Sequence, residues 1–137
     1  MDRDLVLQGN EKIENAIRQL QKEPTQEMLA HALTVVRKRM KEAGHLIVAL
    51  DPSGDMEGLQ MQTIQTADGK RWFAAFTGFE EQMKGSYAVM SAFTAEIDKI
   101  FQTTLQTKEV EGLILNPWDC TMMLSKHLIH IIVGENK

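Results

Sequence analysis

Apolar residues recur every three or four positions in the first third of the chain, which is the spacing of one helix face. The spacing predicts a first helix over 10–23, with Asn10 as its N-cap and Pro24 after its end. Thr25 is predicted to cap a second helix, which Gly44 ends. The inward-facing residues are Ile13, Ile17 and Leu20 in the first helix and Leu29, Leu33, Val36 and Met40 in the second. Both helices therefore need a core to pack against.

Shorter apolar runs and alternation with a period of two predict strands further along the chain. A nearly continuous apolar run over 45–50 predicts a buried strand, and alternation over 59–62 predicts a strand with one wet face. Asp68 and Gly69 are predicted to turn that strand into a hairpin with 71–76. The returning strand carries large apolar residues on both faces, so we expect it to be covered on both sides.

The last third of the chain alternates helix and strand signals. Thr94 is predicted to cap a helix whose apolar face contains Ile97, Ile100, Phe101 and Leu105. Apolar strands are predicted over 112–115 and 122–124, and Ser125 is predicted to cap a C-terminal helix that Gly134 ends. Two shorter elements are also predicted, a helix begun by a capping box at 77–80 and a strand over 87–93.

Together these elements predict an α+β fold, with a small mixed β-sheet of about four to six strands and packed helices. The length of 137 residues is that of one domain, and a hydrophobic share of 43% supplies one core. We divide the chain into an N-terminal helical extension over 1–24 and a domain over 25–137.

The composition indicates the cellular compartment and argues against some classes of partner. The apolar runs are too short to cross a bilayer, and the first residues do not form a signal peptide. Cys120 is the single cysteine, so no intrachain disulfide can form, which favours a reducing, cytoplasmic location. The formal net charge of -4 argues against a nucleic-acid partner, because such partners are held by clustered Lys and Arg. The sequence predicts no membrane partner and no cofactor.

Cys120 is the basis of the alternative hypothesis that the protein is an enzyme. His127 and His130 follow it closely, so a thiol-dependent hydrolase using Cys120 and a nearby histidine is the alternative function. No orienting partner or oxyanion donor can be named, and a cysteine two and four residues before Met122 and Leu124 is typical of a small buried hydrophobe. The two histidines are too few to hold zinc. We therefore expect a protein without catalysis and without a metal.

The candidate binding site is the turn Asn116, Pro117, Trp118 and Asp119. Proline fixes the backbone after a strand, and asparagine can hydrogen-bond its own chain, so the turn is predicted to be rigid. A rigid tryptophan is a good anchor for a protein partner, because it adds much apolar area with few rotatable bonds. The alternative is that Trp118 folds back over the sheet as part of the core.

Two stretches resemble a known family. Residues 68–81 run from a hairpin turn through a strand to a Phe-Thr pair and an acidic short helix, and 112–126 contain a Gly-hydrophobic-Asn-Pro ending followed by a strand and a helix cap. With Asp51-Pro52-Ser53 after the first strand, this order resembles SseB-like N-terminal domains, of the enhanced serine sensitivity protein type, over residues 25–133. The resemblance implies a bacterial α+β module without an established chemical activity. We expect a protein-binding or regulatory module, and a homodimer is compatible with the sequence.

Overall fold

The computed structural model of the chain describes residues 7–49, 63–78 and 92–134. In these ranges the chain forms four helices and six strands, so the predicted α+β class is confirmed. In chain order the elements are α1 (Asn10–Lys22), α2 (Gln26–Lys41), β1 (His45–Ala49), β2 (Thr63–Gln65), β3 (Arg71–Ala75), β4 (Ala92–Glu96), α3 (Ile97–Gln106), β5 (Gly112–Leu115), β6 (Met122–Ser125) and α4 (Lys126–Val133).

Four of the strands form a mixed sheet in the order β2-β3-β5-β6, and β1 pairs with β4. The pair β3–β5 is parallel, whereas the other three pairs are antiparallel. A single bridge between Ile47 and Phe76 connects the two sheets. The sheet is therefore small and mixed, as predicted, with β1 and β4 attached at the end of β3.

The hairpin between β2 and β3 turns at Asp68 and Gly69, as predicted. Gly69 has a φ of 86°, a left-handed conformation that glycine adopts without steric cost. The hydroxyl of Thr66 and the backbone N–H of Lys70 both donate to the Asp68 carboxylate, and they hold the pKa of that group below its usual value. These local bonds fix the register of the hairpin.

Thr25 caps α2 as predicted, since its Oγ1 accepts a hydrogen bond from the N–H of Met28 at 3.1 Å. The prediction that Asn10 caps α1 was wrong. The N-cap is Gly9, with a φ of 97°, and Asn10 is the first helical residue. The reason is that the Asn10 side chain is buried and its amide oxygen already accepts a bond from Nε of Arg39 at 2.9 Å.

The Asn10 amide nitrogen joins α1 to two further parts of the fold. It donates to the carbonyl of His45 in β1 at 2.8 Å and to the carbonyl of Thr77, just after β3, at 3.0 Å. With the bond from Arg39 in α2, one buried side chain therefore connects four segments of the chain. Buried polar groups without a partner are costly, so this set of bonds fixes where α1 lies.

Gly44 lies after α2 as predicted, but for a different reason. The left-handed residue at this helix end is Ala43, with a φ of 61°. A Cβ at Gly44 would lie 2.6 Å from Nη2 of Arg39, so the glycine is needed for the close approach of this guanidinium. The N–H of Gly44 donates to the carbonyl of Arg39 at 2.9 Å and closes the helix end.

The prediction that Thr94 caps the third helix was wrong. Thr94 lies within β4, opposite Ile47 of β1, and α3 begins at Ile97 with Glu96 as an N-cap that makes no side-chain bond. Pairing with β1 keeps 92–96 extended, so tertiary structure overrides the local capping signal. The predicted apolar face is right, since Ile97, Ile100 and Phe101 are buried.

Ser125 and Gly134 begin and end α4 as predicted: Oγ of Ser125 accepts from the N–H of Leu128 at 3.3 Å, and Gly134 is left-handed.

One hydrophobic core lies between the helices and one face of the sheet. All four helices contribute buried apolar residues, among them Ile13, Ala16 and Ile17 from α1, Ala32, Leu33 and Val36 from α2, Ile97, Ile100 and Phe101 from α3, and Ile129 and Ile132 from α4. The facing strand residues are Leu46, Val48, Phe73, Ala75, Leu113, Leu115, Met122 and Leu124. The first helix therefore packs into the same core as the other three.

Three predicted elements fall wholly or largely on residues outside the described ranges. They are the alternating segment over 59–62, the short helix of the capping box at 77–80 and most of the strand over 87–93.

Replacing Asn10 should show how much its buried hydrogen bonds contribute to the free energy of unfolding. Asn10→Ala leaves two buried carbonyls and one guanidinium N–H without their partner, and we expect a loss of about 2–4 kcal/mol in the free energy of unfolding. Lys12→Ala, on the exposed side of the same helix, should change it by less than about 0.5 kcal/mol. Urea denaturation followed by circular dichroism measures both, and equal midpoints for the two variants would contradict this role of Asn10.

Candidate functional site

The turn over 116–119 lies beyond the carboxyl ends of the two parallel strands. Phe73 pairs with Leu113 and Ala75 with Leu115, so β3 and β5 run side by side and end at the same side of the sheet. Because the carboxyl ends of parallel strands lie next to each other, the segment after β3 meets the turn after β5. In open α/β sheets, ligands bind beyond the carboxyl ends of the parallel strands, and in this mixed sheet β3 and β5 are the one parallel pair among the described strands.

Asn116 forms the base of the turn and is fully buried. Its N–H donates to the carbonyl of Ala75 at 2.8 Å, and its side-chain Oδ1 accepts from the N–H of Thr77 at 2.9 Å. Its Nδ2 donates to the Thr77 hydroxyl at 3.1 Å and reaches the Cys120 carbonyl at 3.4 Å. The φ of Asn116 is 52°, a conformation in which asparagine is enriched. The residue is therefore committed to bonds inside the protein.

The rest of the turn is closed by its own backbone. The N–H of Asp119 donates to the carbonyl of Asn116 at 3.2 Å, and the hydroxyl of Thr121 donates to the same carbonyl at 2.6 Å. Pro117 and Trp118 are half-buried, and Asp119 is exposed. Of the four predicted binding residues, three therefore reach the surface, and the fourth holds them in place.

Glu14 of α1 belongs to the same site, and the sequence did not indicate it. Its side-chain Oε2 accepts a hydrogen bond from the Thr77 hydroxyl at 2.5 Å, and its carbonyl accepts from the thiol of Cys120 at 3.5 Å. Glu14 is half-buried, and a Cβ on Gly78 would lie 3.9 Å from Oε2. No motif marks this glutamate, since its partner Thr77 is 63 residues away along the chain.

Cys120 lies at the inner side of the turn, with a side chain that is 2% exposed. It belongs to the same apolar cluster as Met122 and Leu124, which confirms the predicted packing of this cysteine. His127 and His130, the histidines of the alternative hypothesis, are exposed on α4. The site therefore presents an aromatic ring and a carboxylate at its surface, with the thiol beneath them.

The described ranges contain neither a metal-binding cluster nor a membrane-spanning helix. No group of three or more His, Cys, Asp and Glu side chains in these ranges lies close enough to hold a metal ion. None of the helices found there is long and apolar enough to cross a membrane.

These elements define a small α+β domain in which helices pack on one face of a mixed sheet and a rigid turn follows a parallel strand. The family model of the SseB protein N-terminal domain matches residues 13–130. The chain therefore belongs to the SseB N-terminal domain family, and the resemblance of its motifs is confirmed. The match begins within α1. No curated protein and no solved structure matches the chain.

Removing the amide of Asn116 should loosen the base of the turn. Asn116→Ala leaves the Thr77 N–H without an acceptor and places alanine in a left-handed conformation, so we expect a loss of about 2–4 kcal/mol in the free energy of unfolding. Asp119→Ala, at the exposed end of the turn, should cost less than about 1 kcal/mol. Thermal melts of both variants measure the difference, which should vanish if Asn116 does not hold the turn.

The thiol of Cys120 should react slowly in the folded protein. Its burial keeps iodoacetamide away, so we expect labelling at neutral pH to be much faster in urea than in buffer. Mass spectrometry of the alkylated peptide over time gives both rates. Rapid labelling of the native chain would instead indicate an accessible, activated thiol.

Proposed function

We propose that this domain is a non-catalytic protein-binding module with a regulatory role, and that its partner docks on the turn over 116–119. The observation that supports the proposal is the position of Trp118. The ring lies half-buried on a turn whose base, Asn116, is fully buried and hydrogen-bonded to the segment after β3. A partner would meet an aromatic group that is already held in place.

A preorganised tryptophan favours tight binding for a physical reason. Association costs free energy when loops and side chains become ordered, and a turn that is already rigid avoids most of that cost. Tryptophan is also enriched among the residues that contribute most to interfaces. Pro117 and Asp119 flank the ring and complete a surface with an apolar centre and an acidic edge.

The surroundings of Cys120 support packing over catalysis. A nucleophilic thiol must reach its substrate and be activated by a neighbouring base. Here the thiol is buried, and it donates to the carbonyl of Glu14. The thiol-dependent hydrolase is therefore the less supported function.

We further propose a cytoplasmic location and no nucleic-acid partner. The single cysteine fits a reducing compartment, and the formal net charge of -4 opposes binding to phosphates.

Truncation of the Trp118 ring should separate binding from stability. Trp118→Ala should abolish capture of a specific partner from a lysate of the native host, because the apolar centre of the docking surface is gone. The matched control is Phe93→Ala, which removes an exposed ring from β4. Quantitative mass spectrometry of pull-downs with the three baits identifies a protein retained by the wild type and the control only. Titration calorimetry with that purified protein should then give an affinity for Trp118→Ala at least about tenfold weaker.

Thermal melts of the same variants provide the second reading. A half-buried ring should cost less than about 2 kcal/mol in the free energy of unfolding when it is truncated. A loss of about 3–5 kcal/mol would assign Trp118 to the core and remove this docking site. The proposal is also wrong if the partner binds the tryptophan variant and the wild type with equal affinity.

A further inference from the structure

The strand β6 forms one end of the four-stranded sheet. It pairs with β5 along one side, with Leu113 opposite Leu124 and Leu115 opposite Met122. In the part of the chain that the structure describes, no strand pairs with its other side. An edge of this kind offers backbone donors and acceptors to a further strand.

The direction of these backbone groups follows from the pairing of β5. The N–H of Asn116 points toward β3, where it donates to the Ala75 carbonyl. Backbone groups alternate in direction along a strand, so the N–H and C=O groups of Leu113 and Leu115 point the other way, toward β6. The N–H and C=O groups of their partners Leu124 and Met122 therefore point toward β5. Those of Met123, which lies between these two residues, point outward.

Proteins commonly protect a sheet edge with charges, proline or a bulge. Residues 121–125 are Thr, Met, Met, Leu and Ser, which include neither a charge nor a proline. The side chain of Met123 is 44% exposed, among the most exposed large apolar residues in the described ranges. Within the described ranges, no strand therefore covers the outward backbone groups of Met123, whose side chain is also exposed. The neighbouring Thr121 carbonyl accepts a hydrogen bond from Nε2 of Gln21 at 3.4 Å, on the exposed surface, which a further strand would replace.

We propose that this edge pairs with β6 of a second copy of the chain, antiparallel and with a twofold axis at Met123. Charge at the two ends of the strand favours this occupant. Asp119 precedes β6, and Lys126 follows it, with its ammonium donating to the Thr107 carbonyl at 2.7 Å, so a positive charge lies at that end of the strand. Antiparallel pairing brings the acidic end of one copy to the basic end of the other on both sides of the axis, so the strand is complementary to itself.

The contact is small, because β6 has only four residues. Interfaces of this size are weak, so we expect a dissociation constant on the order of micromolar to millimolar. The inference does not rest on the docking role of Trp118, whose loss would leave the backbone of β6 unchanged.

Sedimentation of the full chain from micromolar to millimolar concentration tests the dimer. The wild type should shift from monomer to dimer across this range. Met123→Lys places two like charges opposite each other at the axis, and it should weaken dimerisation at least about tenfold. Ile131→Lys is the matched control, since Ile131 is 42% exposed but lies on α4, and it should dimerise like the wild type.

Cross-linking tests the position of the axis. On a Cys120→Ala background, Met123→Cys should form a covalent dimer with a short bismaleimide, because each residue 123 lies next to its counterpart. Phe93→Cys on the same background has a comparably exposed position on β4 and should give no covalent dimer. The proposal is overturned by a chain that stays monomeric at millimolar concentration, by dimerisation that Met123→Lys leaves unchanged, or by equal cross-linking from residues 93 and 123.

Discussion

The carbonyl of Thr77 is buried just beyond the end of β3, and the amide of Asn10 donates a hydrogen bond to it across the fold. A buried carbonyl without a donor costs about 1–3 kcal/mol, so this one contact strongly favours a single position for α1. The same asparagine accepts from Arg39 and donates to His45, and Gly44 leaves room for the guanidinium. The packing of the first two helices on the first strand is thus decided by polar contacts within an apolar core.

Thr77 also connects this junction with the candidate site. Its carbonyl accepts from Asn10, its N–H donates to Asn116, and its hydroxyl donates to Glu14. Every polar group of the residue therefore has a partner far away in the sequence, two of them on α1 and one in the turn after β5. Because Asn116 is the base of the turn that holds Trp118, the position of α1 and the orientation of the turn depend on the same residue.

The sequence predicted best what depends on neighbouring residues. Thr25 and Ser125 cap their helices because a hydroxyl at this position bonds a backbone N–H three residues on, and the apolar spacing of the helices needs no tertiary information. Asn10 and Thr94 carry the same local signal but were assigned the wrong role. The side chain of Asn10 is used in a contact 35 residues away, and Thr94 is held extended by its pairing with β1. The turn over 116–119 could be located from its asparagine and proline, whereas Glu14 could not be connected with it, because that contact exists only in the folded chain.

The parallel pairing of β3 with β5 has a consequence for the order in which the protein folds. Thr77 and Asn116 are 39 residues apart, so a long loop must close before their hydrogen bonds can form. Contacts between distant parts of a chain slow folding, and the turn is held only where these distant segments have met. A partner that recognises the ordered turn would therefore discriminate against chains that are still folding, and binding would report that the domain is complete.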